Sequence, residues 1–166
     1  MHMPHKKNWK EKVYRMLQKN AADYSLVSDM READRLHFLE LTSESVVLLI
    51  GGGFGHTMFA ASNICKRVFV LEPDMRQHAF LKQRIEEDSC ENIVLHHVLS
   101  QEGIEAFVAR KVFDAIVVEE PPFLKAKGAF YENLSQSLKS GGEIYIAGYA
   151  RGSFRFAQNQ IGRAHV

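Results

Sequence analysis

The sequence predicts an α/β fold built on a doubly wound, mainly parallel β-sheet with helices on both faces. Three observations support this prediction. Short apolar runs alternate with amphipathic segments along the chain, the connections between them are short, and a glycine-rich turn follows the first apolar run. This alternation is typical of βαβ units, whose right-handed crossovers place parallel strands side by side. The 166 residues suffice for one domain with a buried core.

The first forty residues are expected to form a helical amino-terminal extension. Apolar residues recur at helical spacing within residues 9–20. Asp29 and Glu32 resemble a capping box, which predicts the start of a second helix. The buried side of this second helix is predicted to contain Leu36, Phe38 and Leu39. We therefore assign residues 1–40 to the extension and residues 41–159 to the main domain.

Five short apolar runs are predicted to be the strands of the sheet. The first of them, residues 46–50, is wholly apolar, partly β-branched and closed by glycine. Such a run is typical of a strand buried on both faces, so it is expected at the centre of the sheet. The other four predicted strands are residues 67–71, 92–98, 113–118 and 143–147. In the expected strand order, 3-2-1-4-5, the first strand lies between the second and the fourth.

Four amphipathic segments are predicted to be the helices that connect these strands. They cover residues 56–65, 75–88, 100–110 and 125–139. Gly141 and Gly142 are expected to end the last helix, because glycine readily adopts the left-handed conformation found just beyond helix ends. These helices are expected to cover both faces of the sheet.

The last residues are predicted to be a non-native tail. Residues 161–166 resemble the translation of a widely used DNA-sequencing adapter, and we expect the natural gene to continue beyond them. Residues 160–166 are therefore left out of the predicted domain. Without further strands, the fifth strand would be an exposed edge of the sheet.

Composition and charge narrow the classes of function. Hydrophobic residues make up 46% of the chain and the formal net charge is +1, which is typical of a globular protein and gives no basic stripe for nucleic acid. No apolar run approaches the roughly 18 residues of a membrane span, and the basic start lacks the apolar stretch of a secretory signal. We therefore predict a cytoplasmic protein with neither a membrane nor nucleic acid as an expected partner. The cysteines and histidines show no metal-ligand spacing, so no metal site is predicted.

A glycine-rich loop is the main candidate binding site. Gly51, Gly53 and Gly55 lie between a predicted buried strand and a helix, at the edge of the sheet where ligands of such folds bind. The third glycine of the dinucleotide fingerprint GxGxxG is absent, because His56 or Met58 occupies its place in either register. The Gly-Lys-Ser/Thr ending of a P-loop is absent as well. The pattern therefore favours a ligand that lacks a pyrophosphate.

Acidic residues end the second and the fourth predicted strand. Glu72 follows Gly55 by seventeen positions and precedes Pro73. A carboxylate in that place can accept both hydrogen bonds of a ribose diol. Glu119 and Glu120 end the fourth strand and are the candidate catalytic residues, because adjacent carboxylates beside a crevice perturb each other's pKa. The alternative is that one of them is solvated and the other caps the next turn.

At these residues the chain resembles the class I S-adenosylmethionine-dependent methyltransferases, a Rossmann-like family. The resemblance covers about residues 36–150, and the segments that carry it are residues 47–55, 68–72, 113–119 and 138–146. It implies S-adenosylmethionine as cofactor and methyl transfer to an acceptor that the sequence does not identify. The cofactor-binding residues that it implies are Gly51, Gly52, Gly53, Phe54, Gly55, Glu72 and Pro73. Phe54 is assigned equally to a place beside the cofactor and to the core.

Departures from the family pattern leave two alternatives open. The family usually has an acid two residues before the first glycine, where this chain has Leu49. An aliphatic residue there is similar to the polyamine aminopropyltransferases of the spermidine synthase family, which use decarboxylated S-adenosylmethionine and whose active-site Asp would correspond to Glu119. That family usually carries a β-rich amino-terminal domain, whereas residues 9–40 are predicted to be helical. The missing acid equally suits a non-catalytic, methyltransferase-like binding module.

Overall fold

The computed structural model describes residues 36–119, 121, 123–149 and 159–165. Within these ranges the chain forms six strands and four helices. The strands are β1 (Val46–Ile50), β2 (Arg67–Glu72), β3 (Ile93–His97), β4 (Phe113–Glu119), β5 (Leu138–Tyr149) and β6 (Asn159–His165). The helices are α1 (His56–Ile64), α2 (Met75–Asp88), α3 (Gln101–Val108) and α4 (Lys127–Ser135). Strand and helix alternate from β1 to β5, as the sequence predicts.

One sheet of order β3-β2-β1-β4-β5-β6 organises the described part of the chain. Strands β1 to β5 are parallel, which confirms the predicted order 3-2-1-4-5. Ile50, the last residue of β1, pairs with Leu71 on one side and with Val118 on the other. Strands β2 and β4 each continue one residue further, to Glu72 and Glu119. The register therefore places both acids at the edge of the sheet where the glycine loop leaves β1.

Both faces of β1 are buried, as expected for a central strand. Val47 and Leu49 belong to the core cluster that includes residues of α1 and α2. Leu48 and Ile50 belong to the cluster that includes residues of α3 and α4. Because successive side chains of a strand point to opposite faces, these two clusters lie on opposite sides of the sheet. The doubly wound architecture is thereby confirmed.

The predicted end of the last helix is wrong. Helix α4 ends at Ser135, and β5 already begins at Leu138, which pairs with Phe113. The register then shifts before Glu143 pairs with Ala115. Gly141 has a φ of +78° and Gly142 lies so close to main-chain oxygens that a Cβ would be 2.9 Å from one of them. These glycines therefore form an irregular part of β5 and do not end the helix.

A sixth strand covers β5, so the expectation of an exposed fifth strand is wrong. β6 pairs antiparallel with β5 from Tyr149 opposite Asn159 to Glu143 opposite His165. An edge strand offers unpaired N–H and C=O groups to any extended segment, and this pairing requires no particular side chain. Sequence patterns therefore predict the pairing of an edge strand poorly. The assignment of residues 160–166 to a non-native tail stays a prediction.

The amino-terminal extension falls mostly outside the described residues, including both predicted helix starts. Residues 36–38 form a 3₁₀ turn. Leu36 and Leu39 are buried in the core cluster on the α1–α2 face, as predicted. Phe38 is 50% exposed, which corrects its predicted burial, and its ring stacks on Tyr145 at 5.9 Å between centroids. No helix in the described ranges is both long and apolar enough to cross a bilayer.

Candidate functional site

The glycine loop turns sharply at the end of β1. Gly51, Gly53 and Gly55 have φ angles of +88°, +49° and +93°, in the left-handed region that a Cβ disfavours. The Gly51 N–H still donates to the Leu71 carbonyl of β2 at 2.8 Å. The Gly55 N–H then turns back to the Gly52 carbonyl at 2.9 Å, immediately before α1. The sequence pattern thus corresponds to a real conformational requirement.

Close neighbours on both sides of the loop add a second requirement for glycine. A Cβ on Gly51 would lie 2.9 Å from the Cβ of Glu119 and 3.4 Å from its Oε2. A Cβ on Gly52 would collide with the Leu81 side chain and lie 3.2 Å from Oε2 of Glu72. The loop therefore fits between one acid at the end of β4 and another at the end of β2.

Glu72 is the most deeply placed acid of the site, with 1% of its surface exposed. Its Oε2 accepts the Gly52 N–H at 2.7 Å and its Oε1 accepts the Asp74 N–H at 2.8 Å. Burial raises the pKa of Glu72 to about 7, against the two backbone hydrogen bonds, which lower it, and with a smaller contribution from the charge of Glu119. Near neutral pH this carboxyl therefore exchanges between its protonated and ionised forms.

The turn after Glu72 is fixed from two directions. Asp74 caps α2, because its Oδ1 accepts the N–H groups of Arg76 and Gln77 at 2.8 and 3.0 Å. The carbonyl of Pro73 lies 3.1 Å from Nε2 of His97, at the end of β3. The predicted role of Pro73 in cofactor binding stays a prediction.

Two exposed apolar side chains adjoin this turn, and sequence reasoning missed both. Met75, the first residue of α2, is 68% exposed, and Leu99, two residues beyond β3, is 73% exposed. Their signal in the sequence is a large apolar residue in the segment that follows a parallel strand, at the edge of the sheet where ligands of such folds bind.

Glu119 lies on the opposite side of the loop from Glu72. Its side chain is half-buried and contacts Gly51. Glu120, the second candidate catalytic residue, lies outside the described residues, as does Pro122. The structure therefore brings together one predicted acid from each neighbouring strand and the glycine loop between them.

Phe54 fills the core with its side chain. It is buried, and its ring meets that of Phe80 edge to face at 6.0 Å between centroids. Of the two roles left open by the sequence, the side chain thus takes the core role. A contact between the Phe54 backbone and a ligand stays a prediction.

Metal binding and thiol chemistry have few candidate groups in the described part of the chain. No three His, Cys, Asp or Glu side chains there are grouped as metal ligands. Cys65 is buried directly after the end of α1, and burial raises the pKa of its thiol to about 11. The thiol is therefore protonated at neutral pH and is a poor nucleophile.

Comparison with known proteins identifies the fold. No protein-family model and no curated protein matches the chain. An rRNA methylase from Streptococcus thermophilus is similar, at a TM-score of 0.54 and 20% identity over 76% of this chain and 75% of that one. Precorrin-6y C5,15-methyltransferase from Geobacter metallireducens is similar at a TM-score of 0.65 and 20% identity, over 76% of this chain and 67% of that one. The fold is thus the Rossmann-like fold of solved methyltransferases.

A third similar structure was solved with a cofactor. This is TYW2 from M. jannaschii in complex with AdoMet, at a TM-score of 0.59 and 16% identity, over 78% of this chain and 57% of that one. The chain therefore spans less than two thirds of TYW2. Two of the similar structures are named as an rRNA methylase and a tRNA m1G37 methyltransferase. The fold accordingly gives no support to the prediction that nucleic acid is not a partner.

Proposed function

We propose that this chain binds S-adenosylmethionine and transfers its methyl group to an acceptor. The observation that carries the proposal is Glu72, a buried carboxylate at the end of β2 that contacts the glycine loop at the end of β1. On this fold, that edge of the sheet is where a nucleoside is bound. The absence of the dinucleotide glycine pattern favours a ligand without a pyrophosphate.

The residues present fit an adenosine moiety. Each oxygen of Glu72 accepts one backbone N–H and keeps a second lone pair, so the carboxylate has capacity for the two hydroxyls of a ribose. Because Glu72 is 1% exposed, the groups that cover it must shift for a diol to reach it. Pro73 and the exposed Met75 and Leu99 would offer apolar surface to the flat face of the adenine.

Glu119 would serve the reacting end of the site. When bound, S-adenosylmethionine supplies a methyl carbon on a positively charged sulfonium. A carboxylate on the far side of the loop from Glu72 stabilises positive charge there. If the acceptor must lose a proton, Glu119 and Glu120 are the acids at the end of β4 that would take it.

Leu49 supports an aminopropyltransferase as the second candidate. Its side chain is buried in the core cluster on the α1–α2 face. Strand β1 therefore brings no acid to the amino-acid end of the ligand, which would suit decarboxylated S-adenosylmethionine. A non-catalytic binding module is the third candidate and would bind cofactor without turnover.

Calorimetric titration with S-adenosylmethionine and its decarboxylated form tests the proposal. The proteins compared are the parent, Glu72→Gln and the control Glu86→Gln, after circular dichroism shows that all three are folded. Glu86 is exposed near the far end of α2, so Glu86→Gln removes the same charge at a position away from the site. We expect Glu72→Gln to weaken binding about tenfold or more, the effect of losing a charge-assisted contact, and Glu86→Gln to leave it unchanged.

The preferred ligand separates the candidates. Tighter binding of S-adenosylmethionine supports methyl transfer, and tighter binding of the decarboxylated form supports aminopropyl transfer. If the protein binds the cofactor but transfers no labelled methyl group to any component of a cell extract, the result supports the binding module. Failure of the folded protein to bind either ligand contradicts the proposal.

A further inference from the structure

A side chain from α2 reaches the glycine loop and contacts its main chain. Nη1 of Arg84 donates a hydrogen bond to the main-chain carbonyl of Phe54 at 2.6 Å. The two residues are thirty positions apart in the sequence. A hydrogen bond from a charged donor is shorter and stronger than a neutral one, so this contact is a strong local restraint.

The guanidinium of Arg84 is fitted closely between the loop and α1. It lies over the ring of Phe59 at 4.2 Å from the centroid, a favourable cation–π distance. A Cβ on Gly55 would lie 3.1 Å from Nη1. The side chain is half-buried, and burial lowers the pKa of Arg84 while the charge of Asp88 raises it. It stays protonated at neutral pH, as arginine does in proteins.

The contact acts on a peptide unit that has little steric restraint of its own. Glycines on both sides of Phe54 allow backbone rotations that other residues resist. The unit between Phe54 and Gly55 is instead held at both ends. Its carbonyl accepts from Arg84, and its N–H donates to the Gly52 carbonyl. Glu72 holds the start of the loop through the Gly52 N–H.

We propose that Arg84 is a positioning residue that fixes the glycine loop in its ligand-binding conformation without touching the ligand. The loop is then held at its start by the last residue of β2 and at its end by α2, so a single β–α unit orders it. The inference rests on the proposed function for the identity of the ligand. The order of the free loop can be measured without any ligand.

The test compares Arg84→Met, Arg84→Lys and the control Lys82→Met. Met keeps an unbranched apolar stem and removes the guanidinium with its donors, whereas Lys keeps a charged donor. Lys82 is exposed on the same helix, and its substitution removes one positive charge. Two quantities are measured on each protein: amide hydrogen exchange at Gly55 and along β1 by NMR without ligand, and the Kd for S-adenosylmethionine by calorimetry.

In Arg84→Met we expect exchange at Gly55 to rise while exchange along β1 stays at the parent rate. The Kd is expected to rise about tenfold, the loss typical of a hydrogen bond to a charged group. Arg84→Lys is expected to recover part of both effects, and Lys82→Met to match the parent protein.

Three outcomes would overturn the inference. One is an unchanged exchange rate at Gly55 in folded Arg84→Met. Another is a rise that is equal at Gly55 and along β1, which shows a general loss of stability. The third is faster exchange at Gly55 together with an unchanged Kd for S-adenosylmethionine. If the parent does not bind S-adenosylmethionine, yet Gly55 alone exchanges faster in Arg84→Met, the ligand assignment fails and the role of Arg84 in ordering the loop stands.

Discussion

The two acids that flank the glycine loop differ in what holds them. Glu72, at the end of β2, is buried and accepts two main-chain N–H groups of its own neighbourhood. Glu119, at the end of β4, is half-buried, and its contact with the loop is a packing contact with Gly51. The β2 side of the site is therefore held by hydrogen bonds as well as by packing, whereas the contact described on the β4 side is packing. Under the proposed function, the cofactor's ribose would lie on the β2 side and the acceptor would approach the β4 side.

The pH dependence of stability should show the largest effect of the buried acid, Glu72. The pKa of Glu72 is raised from its ordinary value of 4.5 to about 7, so the folded state binds this proton more tightly than the unfolded state. Its stabilising contribution is present below pH 4.5 and is lost as the pH rises through 7. Between these values we expect the free energy of unfolding of the parent to fall by about 3 kcal/mol relative to Glu72→Gln.

Urea denaturation of both proteins at several pH values measures this difference. Glu86→Gln serves as the control for loss of an exposed carboxylate. A parent and a Glu72→Gln variant with parallel pH profiles would contradict the burial of the Glu72 carboxyl.

Adding a methyl group on the β2 side of the glycine loop should have the next largest effect on stability. A Cβ on Gly52 would collide with the end of the Leu81 side chain, which is fully buried. We expect Gly52→Ala to lower the free energy of unfolding by about 2 kcal/mol, the usual cost of overpacking. Gly128→Ala is the control, since nothing lies within 4 Å of a Cβ there, and in α4 it should be slightly stabilising. Equal effects of the two substitutions in urea denaturation would contradict the close packing of the β2 side.

Removing the cap of α2 tests the turn that follows Glu72. Asp74→Ala loses the hydrogen bonds to the N–H groups of Arg76 and Gln77 and should cost about 1 kcal/mol. Asp74→Asn keeps the acceptor and should recover most of that stability. Thermal denaturation followed by circular dichroism compares the three proteins, and a Tm of Asp74→Ala equal to that of the parent would argue against a role for the cap.

Neutralising Glu119 should have the smallest effect on stability. We expect Glu119→Gln to change the free energy of unfolding by less than about 0.5 kcal/mol, as for most partly exposed side chains. The same substitution should weaken binding of cationic S-adenosylmethionine more than binding of the neutral product S-adenosylhomocysteine. Calorimetry with both ligands measures this ratio, and an identical loss for both would place Glu119 away from the sulfonium.

The sequence predicts those elements whose bounds are determined by residues close together in the chain, and from them the strand order. The bounds of β1 and α2 follow from an uninterrupted apolar run and from a helix that begins directly after the cap Asp74. The position of Glu72 follows from the parallel register, since strands that end together bring their next residues together.

The remaining features depend on partners distant in the sequence. The early start of β5 is determined by pairing between Leu138 and Phe113, which no local pattern encodes. Strand β6 forms through main-chain groups that every residue carries. Arg84 was not predicted because its partner is the carbonyl of Phe54, and a main-chain acceptor leaves no signature in the sequence.

The buried carboxyl of Glu72 also connects ligand binding to the proton balance of the solution. Near neutral pH a fraction of the molecules carries a proton on this group. Under the proposed function, a ribose diol that donates two hydrogen bonds would select the ionised form, and each protonated molecule would release its proton to the buffer when it binds the ligand. The heat measured on binding would then include the ionisation enthalpy of the buffer, and it would differ between buffers while the structure of the complex stayed the same.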